Sequence, residues 1–142
     1  MKNLIIICFL AIFATCGCGR NEISNELEIE IKNNNSEKVD LSKVGGSSWD
    51  RVCIFGPYSD NISAEKALGF RWDIENKTSI FSSDTVNVLV FAKGKAVIEY
   101  TEYPRSLGDF EKLSGQCFSR TDAMFVRNKQ RKDNWVSFIS GK

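Results

Sequence analysis

Leu4 to Phe13 is almost unbroken hydrocarbon behind a single charge, Lys2, and the chain turns polar directly after Cys18. A positive residue, a short apolar run and small residues around cysteine form the pattern of a secretion signal. The run falls short of the roughly 20 residues a membrane-spanning helix needs. Beyond it, Asn, Glu, Ser and Lys dominate from Gly19 to Lys38, and Asn33-Asn34-Asn35-Ser36 offers nothing apolar to pack. The expectation is a flexible tether over 18–38. Within it, Glu26-Leu27-Glu28-Ile29-Glu30-Ile31 alternates with period two and reads either as a short edge strand or as an extended spacer.

From Val39 the periodicities become those of a folded body, read as one domain over 39–142. Trp49, Arg51, Cys53 and Phe55 fall on one side of an extended segment and Val52 and Ile54 on the other, a strand that Gly56-Pro57 stops. Ser63 to Gly69 holds a capping residue, helix formers and a terminal glycine, which predicts a short helix. Arg71 to Ile74 and Thr78 to Phe81 read as a small hairpin around Glu75-Asn76-Lys77. Val86 to Ala92 is apolar on nearly both faces, as a central strand must be, and Lys93-Gly94 turns it into a second strand, Lys95 to Tyr103. Ser106 to Leu113 predicts a helical turn directing Phe110 and Leu113 inward, and Ala123 to Arg127 and Trp135 to Ile139 supply two last strands. The expected class is α+β: an antiparallel meander with one or two short helices packed on one face, preceded by a signal helix and the tether.

The end of the apolar run adds an address. Ala14-Thr15-Cys16-Gly17-Cys18 resembles the lipobox of bacterial lipoproteins, in which small residues precede a cysteine that is acylated and becomes the first mature residue. Cys18 is preferred over the alternative, Cys16, because Gly17 is the commoner kind of residue to precede the modified position. The resemblance implies a signal peptide over 1–17 and a domain held at a bilayer by acyl chains, at about 0.8 kcal/mol per buried methylene. No aspartate follows either cysteine, which by the sorting rule of Gram-negative lipoproteins implies the outer membrane, facing the periplasm.

Cleavage before Cys18 removes one of 19 basic residues and no acid, leaving 18 of each sign. Such a balance gives no global attraction for nucleic acid, and none is expected as a partner. It also leaves Cys53 and Cys117 as the two cysteines of the body, where an oxidising compartment predicts one disulfide; two buried free thiols are the alternative. Closing that loop of about 65 residues is worth about 4 kcal/mol by chain entropy.

Around Trp49-Asp50-Arg51-Val52-Cys53-Ile54-Phe55-Gly56-Pro57-Tyr58 and Ala67-Leu68-Gly69-Phe70 the chain resembles a group of small uncharacterised bacterial lipoproteins. In these a tryptophan-aspartate pair opens a strand that ends in proline-tyrosine before a short helix. Asp84, the strand ending in Phe91 and the Gly94 turn extend the likeness over roughly Val39 to Phe110. The resemblance implies no activity.

Histidine is absent, which excludes His-based general-base catalysis, Ser-His-Asp and Cys-His nucleophiles and every His-containing metal site. No glycine-rich phosphate loop, cysteine zinc cluster or serine elbow is present either, so no catalytic residue, metal or cofactor is expected. The candidate binding residues are Tyr58, which follows a rigid turn, Trp49 at the strand opening, and the basic tip formed by Arg127, Lys129, Arg131 and Lys132. Asp50 and Arg51 read as a strand-start pair, and Arg105 and Arg120 as members of surface pairs with Asp109 or Glu111. The expected function is that of a lipid-anchored envelope protein acting by binding a protein partner, as a periplasmic inhibitor or immunity-type lipoprotein does. The alternative is a structural accessory subunit of an envelope assembly or transport complex.

Overall fold

The computed structural model describes residues 21–130 and 134–141, so the segment 1–17, expected to be a signal helix, lies outside the described residues. The first element corrects the expected tether: Glu22–Asn33 forms helix α1. Asn21 caps it by accepting a hydrogen bond from the Ser24 amide at 3.0 Å, and Lys32 pairs with Glu28 one turn back at 2.5 Å. Ile23, Leu27 and Ile31, four residues apart, lie in the core, whereas Ile29, in phase with both for a strand, is 57% exposed. The alternating run is therefore a helical stripe, and tertiary burial decided between the two periods. Gly108 lets this helix approach: a Cβ there would meet Ile31 Cδ1 at 3.0 Å and Tyr103 Cε1 at 3.2 Å.

The fold is α+β, with its antiparallel strands divided between two sheets. Strands β2 (Arg51–Phe55), β3 (Val86–Lys93), β4 (Ala96–Pro104) and β5 (Gln116–Ser119) form the larger sheet in the order β4-β3-β2-β5. Strands β1 (Lys38–Asp40), β6 (Met124–Arg127) and β7 (Phe138–Ser140) form the smaller, in the order β1-β6-β7. The β3–β4 hairpin turns at Gly94 as its sequence predicts, with a bulge where the pairing passes from Phe91 opposite Glu99 to Ala92 opposite Val97.

Both faces of the β2–β3 pair are buried, which is what two runs without polar alternation require. Val52, Ile54, Leu89 and Phe91 pack against α1 and the smaller sheet through Leu27, Val39, Phe125 and Phe138. Cys53, Phe55, Val88 and Val90 pack against helix α2 (Asn61–Leu68), the short helix α3 (Ile74–Lys77) and Ile80 of a 3-10 turn. Trp49 belongs with the first group, on the side of Val52, rather than with Cys53 as strict alternation from position 49 predicts. It precedes β2, where the pleat does not govern its direction.

The expected hairpin over 71–81 is instead α3 and the 3-10 turn Ile80–Ser82. Its cause is local: the Asp73 side chain accepts from the Asn76 amide and side chain and so starts a helical turn. Helix α2 begins three residues before the expected position, because Asp60 and Ser63 form a reciprocal capping box, and it ends at Gly69 with φ +81°. Phe110 and Leu113 point inward around a 3-10 turn at Glu111–Leu113, as expected. Strand β5 has no counterpart in the sequence reading; it lies on the open edge of β2 and brings Cys117 directly opposite Cys53, and the two form the disulfide.

Candidate functional site

The tryptophan-aspartate opening of β2 proves to be a structural junction. Trp49 is 2% exposed, donates its indole N–H to the Val44 carbonyl at 3.0 Å and meets the Phe91 ring edge-on at 5.1 Å. The Arg120 guanidinium covers its other side at 4.4 Å while donating to the Gly46 carbonyl at 2.8 Å. Expected as a binding residue, Trp49 is instead a core residue with its polar atom satisfied. Asp50 accepts from the Gly94 amide at 3.2 Å, and Arg51 donates to the carbonyls of Leu68 (2.9 Å) and Gly94 (2.8 Å). The motif thus ties the start of β2 to the β3–β4 turn and to the end of α2, a placement that linear spacing does not show.

Arg105 and Asp109 also differ from the surface pair expected. Asp109 is fully buried and receives Arg105 through two parallel bonds, Nε at 2.9 Å and Nη2 at 3.0 Å, and Glu111 pairs with the same guanidinium. The Glu111 amide donates to Asp109 as well, at 3.1 Å. Such an arrangement locks the loop between β4 and β5.

Two of the surfaces that display side chains carry the other candidate binding residues. On the basic tip, Lys129 is exposed, with its ammonium 3.3 Å from Glu37, and Arg127 lies 3.6 Å from the same carboxylate. Glu37 thus partly neutralises the two described cations, while Arg131 and Lys132 lie outside the described residues. Cys16 and Cys18 lie outside them too.

The second surface is built by the segment between β2 and β3. Pro57 and Tyr58 occupy the middle of a turn closed by the Ser59 amide on the Gly56 carbonyl at 3.3 Å. Tyr58 has φ +61°, a left-handed conformation that glycine ordinarily supplies after a turn proline. Its amide donates to the Ile80 carbonyl at 2.9 Å, which holds the conformation, and its ring is 62% exposed. Phe81, next along from that carbonyl, and Ile62 in the first turn of α2 are exposed too.

Behind Ile62 opens a groove of about 500 Å³ lined by Asn61, Ile62, Glu65, Arg71, Trp72 and Asp73. Trp72 is steadied by the Tyr100 ring, edge-on at 5.1 Å. The carboxyl of Asp73 is held below the usual carboxylate range by the side-chain amides of Asn76 and Asn61, and that of Asp60 by the Ser63 amide and then its hydroxyl. A hairpin over 71–81 gives Trp72 no distinct place; the spacing Asp60-x-x-Ser63 and Asp73-x-x-Asn76, two capping signatures in succession, is the signal that finds it.

Among the described residues no three His, Cys, Asp or Glu side chains are grouped to hold a metal ion, and no helix is long and apolar enough to cross a membrane. Compared with protein-family models, curated proteins and solved structures, the chain matches none.

Proposed function

We propose that this chain is a lipid-anchored protein of the bacterial envelope, facing the periplasm from the outer membrane, that acts by binding another protein as inhibitors and immunity proteins do, without catalysis. The cysteine-bearing signal supports the anchor, and the absence of histidine favours binding over chemistry. One observation carries the binding surface: Tyr58, an exposed aromatic kept at positive φ where glycine would be relaxed. A non-glycine residue there costs about 1 kcal/mol, and a strained aromatic held in place by a neighbouring carbonyl supports a functional reading of this turn. Tyrosine offers large contact area and a hydroxyl at low entropic cost, and the exposed Phe81 and Ile62 extend its surface.

Tyr58→Gly tests this cleanly, since it removes the ring and relaxes the backbone, so the variant folds at least as well as its parent. Affinity capture from solubilised envelopes is expected to lose its specific partner with Tyr58→Gly and with Phe81→Ser, and to keep it with Met124→Gln, a change at another exposed apolar position. Equal recovery by all four proteins overturns the surface. Stoichiometric recovery of a membrane complex indifferent to Tyr58 favours the accessory-subunit reading.

A further inference from the structure

Asn21 fixes the start of the described chain to one edge of the larger sheet. Its side-chain amide donates to the Tyr100 carbonyl at 3.0 Å, and its oxygen accepts from the Thr101 hydroxyl at 2.7 Å while capping α1. Tyr100 and Thr101 belong to β4, an outer strand of the sheet. From Cys18, the acylated residue of the proposed function, three peptide steps lead to Asn21 and span at most about 11 Å; from Cys16 the limit is about 18 Å. A spacer over 18–38 would have reached about 70 Å. With α1 packed on the core, nearly all of that length is withdrawn into the domain.

Resting on the lipid-anchor reading, we infer that the domain is not suspended above the membrane but held against it, with the N-terminal end of α1 and the β4 edge facing the phospholipid headgroups. A groove of about 350 Å³ opens there, lined by Asn21, Lys77, Tyr100 and Glu102. It carries one cation and one anion, the two charges of a phosphatidylethanolamine headgroup, beside an aromatic ring of the type favoured at membrane interfaces. Strand β5 lies at the opposite edge, three strand spacings or about 14 Å from β4, and so faces away from the lipid. The anchor thereby sets which edge of the protein is open to the periplasm.

The test uses full-length protein, expressed so that it is processed, with a photoreactive benzoylphenylalanine in place of Lys77 or of Gln116, both exposed and both remote in sequence from the anchor. After reconstitution into vesicles of phosphatidylethanolamine and phosphatidylglycerol and irradiation, mass spectrometry counts lipid adducts. Position 77 is expected to give several-fold more adducts than position 116. A flexible Gly-Ser insert of about twelve residues between Gly19 and Arg20, with a root-mean-square length near 20 Å, is expected to abolish the difference. Acylated, vesicle-bound protein that labels equally at both positions without the insert overturns the inference and leaves the anchor standing. An intact mass without acyl chains overturns both.

Discussion

Leu27 decides whether residues 22–33 belong to the folded body. Leu27→Ala removes three buried carbons from a side chain that is 0% exposed, a transfer loss of about 2.4 kcal/mol. The space left between α1 and the sheet raises this to about 3 kcal/mol, because rigid neighbours such as Phe91 and Phe125 close it only in part. Ile29→Ala, two residues along on the solvent side, is expected to cost under about 0.5 kcal/mol. An edge strand makes the opposite claim, since it would place residues 27, 29 and 31 on one face with similar costs. Urea unfolding of the domain with its disulfide intact separates the two: at a slope of about 2 kcal/mol/M, Leu27→Ala lowers the midpoint by about 1.5 M and Ile29→Ala leaves it nearly unchanged. Equal shifts for the two variants, or none for Leu27→Ala, would refute the packed helix.

Reduction of the Cys53–Cys117 bridge, which spans a sequence separation of 64, is expected to lower unfolding stability by about 4 kcal/mol; the urea midpoint with and without reductant measures it, and an unchanged midpoint contradicts the staple. Asp109→Asn leaves the mostly buried Arg105 without its two-point partner and is expected to cost about 3 kcal/mol, whereas a loss below about 1 kcal/mol would class the pair with ordinary surface pairs. Asp60 has its carboxyl lowered from 3.8 by the Ser63 amide and hydroxyl, so the folded state holds fewer protons than the unfolded one as pH falls. Its contribution is full above the unfolded value and is lost as pH drops through the lower folded value. Asp60→Asn keeps an equivalent cap without the titration, and its thermal melting profile below about pH 4 should be shallower than the parent's; parallel profiles would refute the assignment.

Much of this architecture was legible along the chain, and for identifiable reasons. Val86 to Ala92 lacks any polar alternation, so only a strand covered on both faces satisfies it, and Lys93-Gly94 fixes where it turns back. Cys53 and Cys117 followed from counting, since the other three cysteines all lie within the first 18 residues. The exposure of the Tyr58 ring followed from its place after Gly56-Pro57, although its positive φ did not. These are local properties: covalent spacing, turn chemistry and side-chain solubility act within a few residues. What depended on distant residues was decided by the tertiary structure. The stretch 26–31 fits two periods, and packing of Ile23, Leu27 and Ile31 on the core, at the close approach that Gly108 permits, selected the helical one. Trp49 and the Arg105–Asp109 pair look like surface groups in the sequence and are buried because segments distant in sequence, Phe91 against the first and the backbone pairing at Val136 to Phe138 against the second, close over them. Burial is a property of the assembled chain, and a residue's own neighbours in sequence do not supply the atoms that displace its water.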